Sequence, residues 1–170
     1  VWVQPYDAVQ LDEETLMHKL VLGCLGLLML TMTPAFAQEA AGTSYDSALA
    51  QRLGADDYGM RSYVFVLLKT GPSKMPEGAE RDEMYRGHFA NMTRLSKEGK
   101  LVLAGPYDGV DGWRGLFVLA VKSIDEARAL VATDPVLQKG EMIAEYHRYY
   151  GSAALMQVPE VHEMLSKKKF

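Results

Sequence analysis

Tyr63-Val64-Phe65-Val66-Leu67-Leu68 is an unbroken run of aromatic, β-branched and aliphatic residues. A strand made of it is apolar on both faces, so the chain must supply cover on either side. Gly71-Pro72 ends the run. Ala79 to Glu98 has helical periodicity, with Tyr85, Phe89, Met92 and Leu95 on one face, and Gly99 is its stop. Leu101 to Ala104 reads as a second strand, broken by Gly105-Pro106. Asp108-Gly109 and Asp111-Gly112 are turn dipeptides, so Gly115 to Val121 should return as a hairpin. Ser123 and Glu126 have capping-box spacing ahead of a helix whose buried stripe is Ile124, Ala127, Leu130 and Val131. Asp134-Pro135 opens a short turn closed by Gly140, and Ile143 to Tyr150 is the last strand.

The order is β-α-β-β-α-β. Right-handed crossovers turn that order into an α+β, ferredoxin-like domain: a four-stranded antiparallel sheet with both helices on one face. The first and third strands are apolar on both sides, and the domain holds no second helical layer. A second copy's sheet is the simplest cover for the open face, so a homodimer with sheets face to face is expected.

The flanks carry an address. Met17-His18-Lys19, the apolar run Leu20 to Leu30 and Ala35-Phe36-Ala37 have the three parts of a secretory signal peptide. The run is too short to span a bilayer, which takes about 20 apolar residues. The domain plan is therefore 17–37 signal peptide, 38–60 linker with a short helix near Tyr45 to Leu53, 61–151 core domain, and 152–170 a helical tail begun at Pro159. Residues 1–16, with Asp7, Asp12, Glu13 and Glu14, have the wrong charge for a signal's start and read as an upstream extension of a chain that starts at Met17. The expected product is periplasmic or secreted, with no stable membrane anchor once the signal is removed.

Composition removes several functions. A net charge of -4 and a pI near 5.6 are wrong for a dedicated nucleic-acid binder. The single cysteine, Cys24, cannot make a disulfide framework or a thiolate zinc site, and it falls inside the signal segment. The histidines show no HxH or HxxxH spacing, so no metal is expected. There is no phosphate loop, GxGxxG or GxSxG, and no cofactor is expected either.

His88 to Pro106, reading HFANMTRLSKEGKLVLAGP, resembles the first signature of the YciI-like (YCII-related) family, a helix histidine followed by a strand and Ala-Gly-Pro. Ala132-Thr133-Asp134-Pro135 with Gly140 resembles its second, an Asp-Pro before a glycine. The resemblance covers about Arg61 to Tyr150. It implies a dimeric α+β barrel and a site centred on a histidine–aspartate pair, here His88 and Asp134. It also implies acid–base chemistry on ring compounds, such as elimination or isomerisation, for some relatives.

The residues themselves leave alternatives open. His88 is a general acid/base, or a half-buried histidine with a packing role; imidazole is the side chain that exchanges protons nearest neutral pH. Asp134 orients His88, or serves as an N-cap before Pro135 at the first helical position; one carboxylate can do both. Gly105 and Pro106 form a strand-ending turn, with or without backbone groups turned to a ligand. His147 shares a sheet face with Glu145, lining a cleft or sitting as an exposed pair. The expected function is an exported protein acting on a small cyclic metabolite by His88/Asp134 isomerisation or elimination. The alternative is a non-catalytic small-ligand-binding or interaction module. Gly105, Pro106 and His147 are the expected substrate contacts.

Overall fold

The computed structural model describes residues 44–168, and the expected signal peptide and upstream extension lie outside them. In chain order the elements are α1 (Ser47–Leu53), β1 (Met60–Thr70), α2 (Ala79–Lys97), β2 (Leu101–Pro106), β3 (Trp113–Leu119), α3 (Ile124–Val131), α4 (Pro135–Gln138), β4 (Met142–Ser152) and α5 (Val158–Leu165). Short 3-10 segments precede β3, at Val110–Gly112, and α5, at Ala153–Gln157.

β1, the doubly apolar run, lies inside the sheet, whose order is β2-β3-β1-β4 with every neighbouring pair antiparallel. This is the ferredoxin-like arrangement expected from the element order. Val64, Val66 and Leu68 point to the helical side and pack with Phe117, Leu119, Met84, Leu95, Ala127 and Val131. Each of these valine, leucine, methionine and phenylalanine side chains taken from water contributes about 1.5–3 kcal/mol, so the seam between sheet and helices is where the fold's stability is concentrated.

Local signals explain the element ends. The Ser123 side chain accepts from the Glu126 N–H at 3.1 Å, as a capping box requires. Glu126 reaches back one residue further than usual and accepts from the Lys122 N–H at 3.2 Å. The β2–β3 hairpin turns through Gly109, Asp111 and Gly112, all at positive φ.

Three expectations change. β2 does not break at Gly105-Pro106: both residues stay in register, opposite Leu116 and Gly115. β2 is an edge strand, so the N–H that proline lacks removes no necessary ladder bond. The buried stripe of α2 is also rotated by about one residue. It is Met84, His88, Asn91 and Leu95, while Phe89 is 44% exposed. Two of those four are polar, which is why counting apolar residues misplaces the face. Finally, the open face of the sheet is partly covered from within the chain. Leu155 and Met156 of the 3-10 segment pack against Tyr63, Val102 and Val118, and the Tyr63 hydroxyl donates to the Ser152 carbonyl at 2.9 Å. Leu103, Ile143 and Tyr149 remain exposed.

Candidate functional site

The polar half of the α2 stripe meets the start of α4. Asp134 is the N-cap of α4, with Pro135 in the first turn. Its Oδ1 accepts from the Val136 N–H at 3.1 Å. Its Oδ2 lies 2.8 Å from His88 Nδ1 and accepts from Asn91 Nδ2 at 3.3 Å. The two readings of Asp134 are therefore divided between its two oxygens: one caps, the other holds the imidazole. Asp134 is fully buried and His88 is 8% exposed.

This arrangement assigns the tautomer. An ionised carboxylate only accepts hydrogen bonds, so in the neutral ring the proton sits on Nδ1 and Nε2 carries the lone pair. Nε2 has no hydrogen-bond partner among the described residues, and it is not one of the buried polar atoms sealed without one. It is the ring nitrogen left for something else. The ring is fixed by Phe117, stacked at 6.1 Å, by the edge of Tyr85 at 6.3 Å, and by Phe89 at 5.4 Å.

Asn91 belongs to the same construction. Arg94 donates to its Oδ1 at 2.8 Å, which turns the amide so that Nδ2 faces Asp134. Thr133 bridges Arg94 and Asn91 from the residue before the cap. Close approach of the two helices depends on Gly87. A Cβ there would stand 2.9 Å from Pro135 Cγ, so glycine in mid-helix, unfavourable by about 0.5–1 kcal/mol, is what lets α4 reach His88.

A second polar cluster adjoins the first through Tyr85. Glu141, 2% exposed, accepts from the Met75 N–H at 2.7 Å and from Arg81 at 3.3 Å, and lies 3.4 Å from the Tyr85 hydroxyl. Arg114 donates to that hydroxyl at 3.1 Å. Burial pushes the Glu141 carboxyl up, but the Met75 and Arg81 hydrogen bonds and the charges of Arg81 and Arg114 outweigh it and hold it below the ordinary glutamate value.

The structure does not bring all the expected contacts together. His147 pairs with Phe65 in register, whereas His88 stacks on Phe117, which faces the other side of the sheet. His147 is thus on the opposite face from the dyad. Gly105 pairs with Leu116, next to Phe117 and so also turned away from the helices, and Pro106 has no N–H to offer a ligand. Among the described residues no group of three or more His, Cys, Asp or Glu could hold a metal, and no described helix is long and apolar enough to cross a membrane. Asn91, Tyr85, Arg114 and Glu141 are the residues at or beside the site that motif reading does not single out. Asn91 and Tyr85 stand three residues from His88, one helical face's spacing; Glu141 has no comparable signal.

No curated protein matches the chain. Among solved structures it is similar to 5-chloro-2-hydroxyhydroquinone dehydrochlorinase from Burkholderia phenoliruptrix, in complex with 2,5-dihydroxybenzoquinone. The identity is 21% and the TM-score 0.37, over 51% of this chain and 92% of that one. The YCII-related domain model matches residues 63–148, just over half of the 170 residues and a span holding both His88 and Asp134. The chain belongs to the YCII-related domain family.

Proposed function

We propose that this chain is a small-molecule enzyme in which His88 moves a proton through Nε2 while Asp134 holds the Nδ1 proton. The observation that carries this reading is the 2.8 Å contact between His88 Nδ1 and Asp134 Oδ2, with Nε2 unpartnered. A neutral imidazole is a base of moderate strength, so its substrates are carbon acids with a carbonyl to receive charge. Nε2 takes a proton from a ring carbon beside a carbonyl, and the C–H electron pair becomes an enolate. Returning the proton to another carbon completes an isomerisation. Expelling a leaving group from the β carbon completes an elimination. Neither route needs a cofactor. Gly105, Pro106 and His147 fall outside the site in this reading.

A binding role without catalysis has its own supporting observation. Two clefts among the described residues, of about 530 and 340 Å3, are lined by neither His88 nor Asp134. In that reading the dyad and Asn91 serve to join α2 to α4. Turnover of small cyclic enolisable ketones and halogenated hydroxyquinones by the wild type and His88→Ala decides between them. Turnover lost in a folded variant that still binds the ring compound supports the enzyme. A wild type inert on every such substrate, with an unfolded His88→Ala, supports the structural role.

Two further parts complete the proposal. Leu103, Ile143 and Tyr149, exposed on the sheet face that the tail leaves open, support a homodimer through that face. A particle of one chain's mass by light scattering would contradict it. Residues 17–37 direct export, and an N-terminus at Gln38 in the mature protein is the expected result.

A further inference from the structure

The larger cleft lies away from the dyad, where two central strands part. β1 and β3 pair from Val64 opposite Leu119 onward. Two residues further out on each strand, Ser62 and Val121 are unpaired with each other and instead line an opening of about 530 Å3 with Gly54, Arg61, Lys100, Ala120, Lys122 and Glu126. That volume is in the range of small-molecule pockets and exceeds what a bare ion needs.

Its charge is distinctive in a chain of net charge -4. Three cations line it against one acid, and that acid is already engaged. Glu126 Oε1 accepts from Lys100 Nζ at 2.8 Å, and Oε2 accepts from the Lys122 N–H at 3.2 Å. The lining is left with an excess of two positive charges; neither Arg61 nor Lys122 makes a salt bridge among the described residues, although the Lys122 charge also acts on Glu126. Arg61 is also held in place in advance. It donates to the Leu53 carbonyl at 2.7 Å, which closes the C-terminus of α1, and its guanidinium lies 5.3 Å over the Tyr63 ring. Its Nε is buried with no acceptor. A buried donor without a partner is uncommon in a folded protein and calls for an explanation.

We propose that this cleft binds a small organic dianion of the phosphate-monoester class, with Arg61 and Lys122 as its charge partners and the Ser62 hydroxyl as a further donor. An excess of two positive charges in the lining matches a doubly charged head group, and the remaining volume takes the carbon skeleton. The site is separate from His88 and Asp134 and does not depend on their role.

The test is a titration of the 15N-labelled full-length chain with inorganic phosphate, with acetate as the singly charged comparison. Saturable amide shifts are expected at Ser62 and at Ala120 to Lys122, with His88 and Asp134 unmoved. Affinity should fall about tenfold in Lys122→Gln, an exposed substitution that breaks no described side-chain hydrogen bond or salt bridge, and similarly in Arg61→Gln. Should Arg61→Gln unfold by releasing α1, Lys122→Gln alone decides. Shifts that never saturate, that acetate reproduces at equal concentration, or that survive Lys122→Gln would overturn the proposal.

Discussion

His88 Nδ1 and Asp134 Oδ2 stand 2.8 Å apart, joining the middle of a nineteen-residue helix to the cap of a four-residue one. The contact spans 46 positions of sequence. It gives the short helix α4 a tertiary anchor, which four residues could not supply from their own backbone. It also leaves a single imidazole nitrogen for chemistry.

The division of labour at Asp134 separates two substitutions. Asp134→Asn keeps an oxygen for the Val136 N–H, and asparagine caps about as well as aspartate, but an NH2 in place of Oδ2 leaves Asn91 Nδ2 without its acceptor, so stability should fall by about 1–2 kcal/mol. Asp134→Ala loses the cap and leaves His88 and Asn91 buried without their acceptor, which should cost about 2–4 kcal/mol. Urea unfolding of the two variants measures the difference. On the proposed mechanism, Asp134→Asn also loses most turnover, because its amide can donate to Nδ1 and move the ring proton to Nε2.

Gly87→Ala tests the approach of the two helices. Alanine is favoured in mid-helix by about 1 kcal/mol, yet its Cβ would stand 2.9 Å from Pro135 Cγ. Overpacking of that kind costs about 1–3 kcal/mol, so the net change should be destabilising by about 1 kcal/mol. The same displacement should weaken the His88–Asp134 contact, visible as a change in the His88 ring resonances.

Glu141 links stability to acid. Its carboxyl is held below the ordinary value in the folded chain. The stabilisation it provides is complete above the unfolded value of about 4.3 and is lost as pH falls through the folded value. Glu141→Gln should cost about 2–3 kcal/mol near neutrality, since it leaves Arg81 without its partner. It should cost progressively less at lower pH. Denaturation between neutral pH and pH 3 checks both; a cost that does not shrink with acid contradicts the assignment.

His147→Ala should leave the dyad untouched, because His147 lies across the sheet from it. Unchanged His88 ring resonances are the expected result. A shift comparable to that of Asp134→Asn would contradict the register.

The fold was legible because its signals are local and redundant. The doubly apolar run at Tyr63 to Leu68, the hairpin dipeptides and the Ser123 cap each specify an element and agree with one another. The dyad pair was legible through the resemblance, and Asp134-Pro135 announced its cap independently. The rest was not legible for identifiable reasons. His88 and Asn91 occupy a buried stripe because a carboxylate 46 and 43 residues on satisfies both, and periodicity of apolar residues cannot register that. Glu141 is buried by the loop that donates the Met75 N–H, a contact between distant segments with no spacing to betray it. The tail's cover of the sheet comes from Leu155 and Met156, ordinary residues in a segment without strong periodicity.

The tautomer of His88 tests the central claim most directly. Long-range 1H–15N correlation of the wild-type ring in its neutral form reports which nitrogen carries the proton. The geometry at Asp134 Oδ2 predicts a proton on Nδ1 and a bare Nε2, with Asp134→Asn moving the population toward Nε2–H. A wild-type ring already protonated on Nε2 would contradict the hydrogen bond, and with it the proposed route of the proton.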